Sequence, residues 1–572
     1  MHPKLKRFAQ IFLIALVAAV VTAAFLHKYR LYDDAYITYR YAENLVNGNG
    51  PVWNPGEKVE GYTSFLHMIL AAGMIRIGLN PALMSVLLSL LMLSLTAASG
   101  YMQMYREDRR ETHYLGLFFV LYLATSPPLI CWAMSGMETV LFSSLVFFTM
   151  VVLGLDLKQE RMPWRAALIT ATTALARPEG IMLGGIVGLC LLVWGGKKRI
   201  PKALVYGLIA GAIFVPWFAW RLTYYGHFYP NTYYAKVGSL NIDLVLRGGW
   251  YVIRSMSAYW TPWILFALAI AHRKKHRQWG YRTKIALVFV VVYSLQITIS
   301  GGDYMGFGRF YLPVLPLTAF AIIGIIRHDR FFREIGPRMA KAMETRPTKS
   351  WVLAALILLL LHYVNIGFVL NHIRTTGNID LTTKWTRVGK IIEANTPKDF
   401  TLAGSAVGAI GYFSKRPMID MLGITDETIA HTPIRTGKGY PGHEKYNIGY
   451  VLKRKPDFVA VCAGLRPKPW LECACPRGKQ FTRGLHAAEG LLRDPLFKKR
   501  YVYSNLEITK GPFAGNYLTG YLLKRNLGKP GYEHWTPATD AGQECTFEKD
   551  GQGRAQQMQK YFEMLKANQL DP

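Results

Sequence analysis

Residues 33–64 read DDAYITYRYAENLVNGNGPVWNPGEKVEGYTS and follow closely on the first long apolar stretch of the chain. Two adjacent carboxylates, Asp33 and Asp34, open the segment. A helix-compatible run to Val46 comes next, and a loop rich in Gly, Asn and Pro then leads to Ser64. Acidic side chains at the edge of a membrane helix are costly unless they serve a function. The segment therefore predicts a membrane protein whose functional site is built around this acid pair.

The composition divides the chain into two regions. Of its 572 residues, 51% are hydrophobic, and up to about Leu370 they are gathered into apolar stretches separated by short basic loops. After Leu370 the chain has the mixed composition of a soluble domain. Because a helix needs about 20 apolar residues to cross a bilayer, the first region reads as a series of spans. We predict a polytopic α-helical membrane domain over 1–370 and an extracytoplasmic α/β domain over 371–572.

The formal net charge of +31 suggests nucleic-acid binding, but the placement of the charges argues against it. Many Lys and Arg residues lie in short loops between apolar stretches, where membrane proteins carry them on the inner side. They do not form one patch interleaved with aromatic residues on a soluble module. We therefore expect no nucleic-acid partner. The basic N-terminus is predicted to be cytoplasmic, and the first apolar stretch is predicted to be an uncleaved membrane helix.

The basic loops predict roughly eleven spans. Phe65 to Gly78 is apolar but too short to cross, so we expect it to lie flat in the outer interface. With this segment excluded, every inner loop carries the positive charge expected of a cytoplasmic loop. The acid pair and the acidic motifs at Glu138, Glu179 and Asp303 then all face the outer side. The spans are predicted at residues 8–26, 81–105, 114–133, 140–157, 166–176, 181–194, 203–222, 260–271, 285–300, 310–326 and 351–370.

Three outer motifs carry candidate functional groups, each with a simpler structural interpretation. The acid pair could act as a general base on a sugar hydroxyl or hold a divalent cation, although Asp at the start of a helix also caps it. Arg177 could bind a phosphate, or it could pair with Glu179 across a turn. Asp303 follows two glycines and could bind a substrate hydroxyl or belong to a plain loop.

Two weaker motifs complete the outer face. Glu138 either faces the same site or caps the helix that follows it. Asn231 and Lys236 lie among tyrosines and could bind a sugar or a phosphate, but aromatic residues at this depth are as often interface anchors. The remaining predicted substrate-binding residues are Tyr39, Arg40, Glu60, Tyr62, Tyr304 and Arg309.

The six cysteines fall into two groups. Cys131 and Cys190 lie in apolar stretches, where cysteine is usually an inert packing residue. The other four lie in the C-terminal region and allow three disulfide pairings if that region is outside the cytoplasm. A zinc site is less favoured, because the pair of cysteines separated by one alanine is one residue short of the usual spacing. The disulfide candidates are Cys462, Cys473, Cys475 and Cys545.

Several of these strings together resemble a known family. The string at 33–64 combines with SGMET (135–139), ARPEG (176–180), YPNTYYAK (229–236) and GGDYMGFGRFYLP (301–313). This set resembles the GT-C glycosyltransferases and, among them, the terminal β-(1→2) arabinofuranosyltransferase family of mycobacterial cell walls. The resemblance covers essentially the whole membrane part, and short segments after residue 409 extend it into the C-terminal region.

The resemblance implies a fold and a place in the cell. The fold would be a GT-C type bundle of about eleven transmembrane helices, with residues 28–80 as the first outer loop. The protein would lie in the bacterial inner (plasma) membrane, with its C-terminal domain in the periplasm.

The resemblance also implies a reaction. A sugar, D-arabinofuranose by preference, would pass with inversion from a polyprenyl-phosphate donor to a cell-envelope glycan or surface-protein acceptor outside the cytoplasm. Asp33 and Asp34 are carried over as catalytic candidates, and they would also be the ligands of a divalent cation if one takes part. The cavity residues carried over more loosely are Glu138, Arg177, Glu179 and Asp303.

Two other classes of function stay open at this stage. A lipid-linked sugar flippase or transporter would also place acids in or near the membrane. Transporters commonly show inverted repeats and binding groups at the bilayer midplane, and the sequence shows neither. A non-enzymatic envelope assembly factor would act through the C-terminal domain and would leave the acid pair dispensable.

Overall fold

The architecture is that of a computed structural model, which describes residues 3–25, 31–105, 110–272, 279–327, 330–346, 349–350, 352–362, 381–469, 486–510 and 512–537. The chain forms two compact units. Unit 1 comprises Met1–Tyr233, Ser239–Thr382 and Thr436–Pro441, and unit 2 comprises Tyr234–Gly238, Thr383–Arg435 and Gly442–Pro572. The predicted domain boundary at residue 370 lies outside the described residues.

Helices dominate the first 362 residues. In chain order they are α1 (Pro3–Phe25), α2 (Asp33–Val46), α3 (Phe65–Arg76), α4 (Pro81–Met104), α5 (Arg110–Ala124), α6 (Pro127–Ala133), α7 (Thr139–Lys158), α8 (Trp164–Ala176), α9 (Glu179–Trp194), α10 (Arg199–Tyr225), α11 (Asn231–Lys236), α12 (Ile242–Tyr259), α13 (Thr261–Ala271), α14 (Tyr281–Ser300), α15 (Val314–Ile326), α16 (Arg330–Thr345) and α17 (Val352–His362).

Each of the eleven predicted spans overlaps at least one of these helices. By length and composition, five are long and apolar enough to cross a membrane: α1, α4, α7, α10 and α14. The helices α5 and α6 pass the same test as a pair. Shorter apolar helices are α3, α9, α13, α15 and α17. The protein is therefore a polytopic α-helical membrane protein, as predicted, and the flat position of α3 stays a prediction.

One predicted span is broken. Residues 114–133 were expected to form a single helix, but α5 and α6 meet at an angle of 52°. Pro127 and Pro128 begin α6, and proline lacks the N–H that a continuing helix would need. The break therefore follows from two residues that a hydropathy pattern does not register.

The predicted outer loop between residues 224 and 259 holds a long helix instead. The Asn241 side chain caps α12 by accepting a hydrogen bond from the Leu244 N–H at 3.0 Å. Its buried positions, which include Gly248, Val252 and Ser255, recur every three or four residues as on one helix face. Arg247 and Arg254 interrupt the apolar pattern, so the segment looks like a loop to a search for continuous hydrophobicity.

Unit 2 is the predicted α/β domain. Its strands are β1 (Leu402–Gly404), β2 (Met418–Asp420), β3 (Phe458–Arg466), β4 (Tyr501–Glu507), β5 (Tyr517–Leu523) and β6 (Trp535–Pro537). They form one mixed sheet in the order β2-β1-β3-β5-β4-β6, parallel among β1, β2 and β3 and antiparallel from β3 onward. Its helices are α18 (Leu381–Asn395), α19 (Gly408–Ser414), α20 (Glu427–Ala430), α21 (Ile448–Arg454), α22 (His486–Arg493) and α23 (Pro495–Arg500).

The cysteines are only partly described. Cys131 and Cys190 are buried free thiols, which agrees with packing roles. Cys462 lies on β3. Cys473, Cys475 and Cys545 lie outside the described residues, so the disulfide pairing stays a prediction.

Candidate active site

The acid pair lies where α2 begins in unit 1. Asp33 and Asp34 are the first two residues of α2. The Tyr32 N–H donates to the Ser135 carbonyl oxygen at 3.0 Å, and the Tyr32 ring stacks on Trp132 with centroids 4.9 Å apart. These contacts fix the start of α2 against the segment that leads into α7. Trp132 was not among the predicted site residues, because no motif marks it.

The turn before α7 depends on a glycine. Gly136 has a φ of 75°, and a Cβ there would lie 2.7 Å from Leu31 Cδ2 and 2.8 Å from Tyr39 Oη. The Tyr39 hydroxyl donates to the Gly136 carbonyl oxygen at 2.6 Å. Tyr39, predicted to bind substrate, thus holds this turn in the core. The turn places Glu138 at the start of α7.

Arg177 is fully engaged by two glutamates. Its Nη1 lies 2.6 Å from Glu138 Oε1, and its Nη2 lies 2.7 Å from Glu179 Oε1. Its Nε donates to Glu179 Oε2 at 3.2 Å. All three side chains are largely buried. This group, named here the Arg177 cluster, joins the ends of α7, α8 and α9, and its arginine directs all three guanidinium nitrogens to protein carboxylates.

A second arginine connects the acid pair to the Gly-Gly-Asp loop. Arg309 Nε lies 2.7 Å from Asp303 Oδ2, and Arg309 Nη1 lies 3.9 Å from Asp34 Oδ2. The side chains of Arg309 and Asp303 are each 4% exposed, whereas that of Asp34 is 20% exposed. We call these three residues the Arg309 cluster. Asp34 is the most exposed member of this cluster.

An aromatic ring stands beside both guanidinium groups. The Cζ of Arg177 is 5.0 Å from the centroid of the Phe310 ring, and the Cζ of Arg309 is 4.8 Å from it. The Phe310 N–H donates to the Tyr251 hydroxyl at 3.0 Å. Cations are attracted to the face of an aromatic ring. Phe310 therefore links the two clusters, and neither it nor Tyr251 was predicted, since cation–π partners are recognised only in three dimensions.

The glycines of the Gly-Gly-Asp loop allow it to lie against α12. Gly301 and Gly302 have φ values of 82° and 69°. A Cβ on Gly302 would lie 2.6 Å from Tyr251 Cβ. The loop is further held by Arg247, whose Nε donates to the Gly301 carbonyl oxygen at 3.1 Å. Asp303 is thereby fixed, and its Oδ1 accepts the Tyr304 N–H at 2.9 Å.

Three other predicted residues gather around Arg221 of α10. Arg221 Nη2 lies 2.6 Å from Glu60 Oε2, and its Nε donates to Glu60 Oε1 at 3.0 Å. Burial raises the pKa of Glu60 to about 7, against the lowering effect of the arginine. The Asn231 N–H donates to the Glu60 carbonyl oxygen at 3.0 Å, and Tyr62 shares a hydrogen bond of 3.1 Å with Tyr225.

Two more residues that were predicted to bind substrate are Arg40 and Lys236. Arg40 is buried, donates from Nε to the Trp53 carbonyl oxygen at 2.9 Å and places its Cζ 4.3 Å from the Trp53 ring centroid. Burial lowers the pKa of Arg40 to about 10. It therefore supports the loop after α2. Lys236 belongs to unit 2, while the two arginine clusters belong to unit 1.

The acid pair could contribute to a magnesium site. Within the part of the chain that the structure describes, Asp33 and Asp34 are not in any set of three metal-ligating side chains whose ligand atoms lie within 4.8 Å of one another. Magnesium commonly takes one or two carboxylates and completes its shell with water and substrate phosphate. The donor set therefore fits magnesium when a phosphate-bearing substrate supplies further oxygens.

The fold and the site define a polytopic membrane protein with two buried arginine–carboxylate clusters at the ends of its helices. The chain is similar to two curated proteins named terminal β-(1→2)-arabinofuranosyltransferase. It is 28% identical to that of Corynebacterium glutamicum over 371 residues, which is 57% of this chain and 52% of that protein. It is also 28% identical to that of Mycobacterium tuberculosis over 249 residues, 41% of this chain and 39% of that protein.

The chain thus spans about half the length, or less, of these curated relatives. They confirm the resemblance inferred from the sequence motifs. In the C-terminal region, residues 372–512 match a family model described as a domain of unknown function (DUF8728).

Two solved structures were also matched. One is ArnT from Cupriavidus metallidurans bound to undecaprenyl phosphate, with 13% identity, a TM-score of 0.48 and coverage of 71% of this chain and 85% of that one. The other is the Archaeoglobus fulgidus oligosaccharyltransferase tethered with an acceptor peptide, with 12% identity, a TM-score of 0.46 and coverage of 89% of this chain and 74% of that one.

Proposed function

We propose that the protein is a membrane glycosyltransferase that moves a sugar from a polyprenyl-phosphate donor to an acceptor outside the cytoplasm. The observation that carries the proposal is the acid pair beside a buried guanidinium, with Asp34 Oδ2 3.9 Å from Arg309 Nη1. Transfer from a lipid phosphate to a hydroxyl needs a base for the acceptor proton and a cation for the departing phosphate. The names of the curated relatives support arabinofuranose as the sugar.

The acid pair supplies the base. The carboxylate, by preference that of Asp33, takes the proton of the acceptor hydroxyl as its oxygen attacks the anomeric carbon. The bond from that carbon to the phosphate oxygen breaks, and the lipid phosphate leaves from the opposite face, so the configuration inverts. Asp34 lies beside the guanidinium assigned to the phosphate, with its Oδ2 3.9 Å from Arg309 Nη1.

Arg309 meets the departing phosphate. A guanidinium is always charged and has donors spaced to suit phosphate oxygens. Asp303 contacts Arg309 at Nε, while Nη1 donates to Met137 Sδ at 3.7 Å and lies 3.9 Å from Asp34 Oδ2. Arg177 is a positioning residue in this proposal, since Glu138 and Glu179 already occupy its nitrogens. A divalent cation on the acid pair would add positive charge at the same phosphate.

The decisive test uses purified protein in detergent with a polyprenyl-phosphate arabinofuranose donor and an arabinofuranoside acceptor. We expect Asp33→Asn to lower the rate at least about 100-fold, because general-base catalysis contributes about 10²- to 10⁴-fold. Glu489→Gln is the matched control, since it removes a carboxylate from a partly exposed ion pair in unit 2. If folded Asp33→Asn and Asp34→Asn proteins both transfer sugar at the normal rate, the proposal is wrong.

The same assay separates an enzyme from a flippase. In detergent no membrane divides two compartments, so a protein that only moves a lipid-linked sugar across the bilayer yields no new glycosidic bond. Product formation by the purified protein would support the transferase.

The sugar and acceptor are tested in cells. Surface glycans and glycoproteins of strains with and without the protein are compared by mass. Loss of a pentose supports arabinofuranose, whereas loss of a hexose contradicts it.

A further inference from the structure

A pair of aromatic rings lies next to the Arg309 cluster. The rings of Tyr304 and Tyr440 have centroids 4.9 Å apart at an angle of 45°. Tyr304 directly follows Asp303 and is half-buried, whereas Tyr440 is 38% exposed. Tyr440 lies in the segment Thr436–Pro441, which belongs to unit 1 although the residues on either side of it belong to unit 2.

The segment is fastened to α12 through its backbone. Asn241 Nδ2 donates to the Thr436 carbonyl oxygen at 3.0 Å. Arg247 Nη1 donates to the Gly439 carbonyl oxygen at 3.4 Å, while the Nε of the same arginine donates to Gly301 at 3.1 Å. One guanidinium therefore holds both the Gly-Gly-Asp loop and the segment that carries Tyr440. Its position brings the two tyrosines together.

Close contact at Gly437 fixes the same arrangement. This glycine has a φ of 120°, a conformation that L-residues rarely adopt. A Cβ on it would lie 2.7 Å from the Leu244 backbone nitrogen. The adjacent Lys438 places its Nζ 3.9 Å from Asp243 Oδ2. The segment is thus seated on the first two turns of α12 at a distance that only glycine permits.

We propose that Tyr304 and Tyr440 form a platform on which a sugar ring of the substrate stacks. The inference rests on the proposed function and names the group that the site recognises. A sugar ring presents C–H groups on one face, and these pack on an aromatic ring while the hydroxyl groups stay available for hydrogen bonds. Binding sites typically combine such apolar aromatic surface with a few fixed polar groups. Here the polar group that is open to a substrate is the Asp34 carboxylate, which is 20% exposed.

Exposure distinguishes Tyr440 from the buried tyrosines of unit 1. Tyr39, Tyr259 and Tyr293 are each at most 1% exposed and belong to the core. More than a third of the surface of Tyr440, which lies next to the Arg309 cluster, is exposed. The sugar ring that stacks on the platform can belong to the donor or to the acceptor, because both present C–H groups on one face.

Kinetics of the full-length protein in nanodiscs test the platform and identify the source of the ring. We expect Tyr440→Ala to raise the KM of one substrate about tenfold while kcat changes less than about twofold, and Tyr440→Phe to restore that KM. A raised KM for the arabinofuranoside acceptor assigns the platform to the acceptor, and a raised KM for the lipid-linked donor assigns it to the donor. The platform is refuted if neither KM changes or if only kcat falls.

A binding measurement keeps this inference separate from the proposed reaction. Saturation-transfer NMR with methyl arabinofuranoside and methyl glucopyranoside reports sugar contact without any turnover. We expect contact with at least one glycoside in the wild-type and Asp33→Asn proteins and its loss in Tyr440→Ala. Equal contact in wild type and Tyr440→Ala, or none in wild type, overturns the platform. Unimpaired transfer by Asp33→Asn and Asp34→Asn would instead overturn the proposed reaction and leave the platform intact.

Discussion

The two arginines of the site differ in what their charge is used for. All three guanidinium nitrogens of Arg177 donate to Glu138 and Glu179, so its charge is paired with carboxylates of the protein. Arg309 is anchored by Asp303 and turns a terminal nitrogen toward the more exposed Asp34. A buried charge is tolerated only when it is paired. Removing one partner leaves the other buried without compensation for its lost hydration, which destabilises the protein. The same residue type therefore has a structural role at one position and, in the proposed function, a binding role at the other.

This difference predicts different main effects for two substitutions. Arg309→Lys should lower kcat at least about tenfold, since lysine keeps the positive charge but lacks the planar fork that suits phosphate oxygens. Arg177→Met should lower the free energy of unfolding by about 3–5 kcal/mol, because two glutamates lose their partner. Thermal unfolding in detergent and initial rates of transfer measure both.

A compensating variant provides the control. Replacing Glu138 and Glu179 by glutamine in the Arg177→Met protein removes the unpaired charges, so much of the lost stability should return. Failure to recover any stability would show that the loss came from packing. Unchanged transfer by Arg309→Lys would contradict the assignment of Arg309 to the phosphate.

At the scale of the helix, hydropathy located the spans but not every element. Long apolar helices such as α7 and α14 were predictable. A helix that crosses a membrane needs about 20 mostly apolar residues, and such a run can be read directly from the sequence. The break at Pro127 and the helix α12 were missed, since one depends on a missing N–H and the other on an amphipathic pattern interrupted by arginines.

The packing of α12 on α14 depends on one glycine of an adjacent pair. A Cβ on Gly248 would overlap the Thr298 carbonyl oxygen, whereas a Cβ on Gly249 would meet Thr298 Cγ2 at an ordinary 3.8 Å. Gly248→Ala should therefore destabilise the protein by about 1–3 kcal/mol. Gly249→Ala should be neutral or slightly stabilising, since alanine favours a helix over glycine by about 1 kcal/mol. Unfolding temperatures in detergent give the comparison, and equal effects would contradict this account.

A buried carboxylate makes the stability of unit 2 depend on pH. Burial raises the pKa of Asp420 to about 6, although the N–H groups of Leu422 and Thr425 donate to it at 2.9 and 2.8 Å. Because the pKa is raised above the unfolded value of 3.8, this contribution is fully present below about pH 3.8 and is lost as the pH rises through about 6. The loss should not exceed about 3 kcal/mol.

Hydrogen exchange of the full-length protein measures this effect. The opening free energy of the peptide that contains Asp420, corrected for intrinsic exchange, should fall between about pH 4 and pH 6. In Asp420→Asn the same peptide should show no such fall. A wild-type opening free energy that rises over this range would mean that the hydrogen bonds outweigh burial.

At the scale of the whole molecule, charge placement was the most informative sequence signal. The basic loops set an orientation without reference to the acids, and that orientation put Asp34 and Asp303 on one face. The structure brings these two carboxylates to the same arginine. The platform residue Tyr440 was not predictable, because the hydrogen bond from Arg247 to Gly439 joins positions 192 residues apart. No local pattern reports a contact of that range.

The orientation itself yields the last prediction. Lys197 and Lys198 lie in an exposed basic turn before α10, and positive loops stay in the cytoplasm. Lys398 and Asp399 form an exposed turn of unit 2, which the predicted topology places outside. An epitope inserted between Lys398 and Asp399 should be detected by antibody on intact spheroplasts, whereas one between Lys197 and Lys198 should appear only after permeabilisation. Each tagged protein must first retain transfer activity, and a cytoplasmic marker must stay undetected in intact spheroplasts. The reverse labelling pattern would place the acid pair on the cytoplasmic side and contradict the proposed use of an outer acceptor.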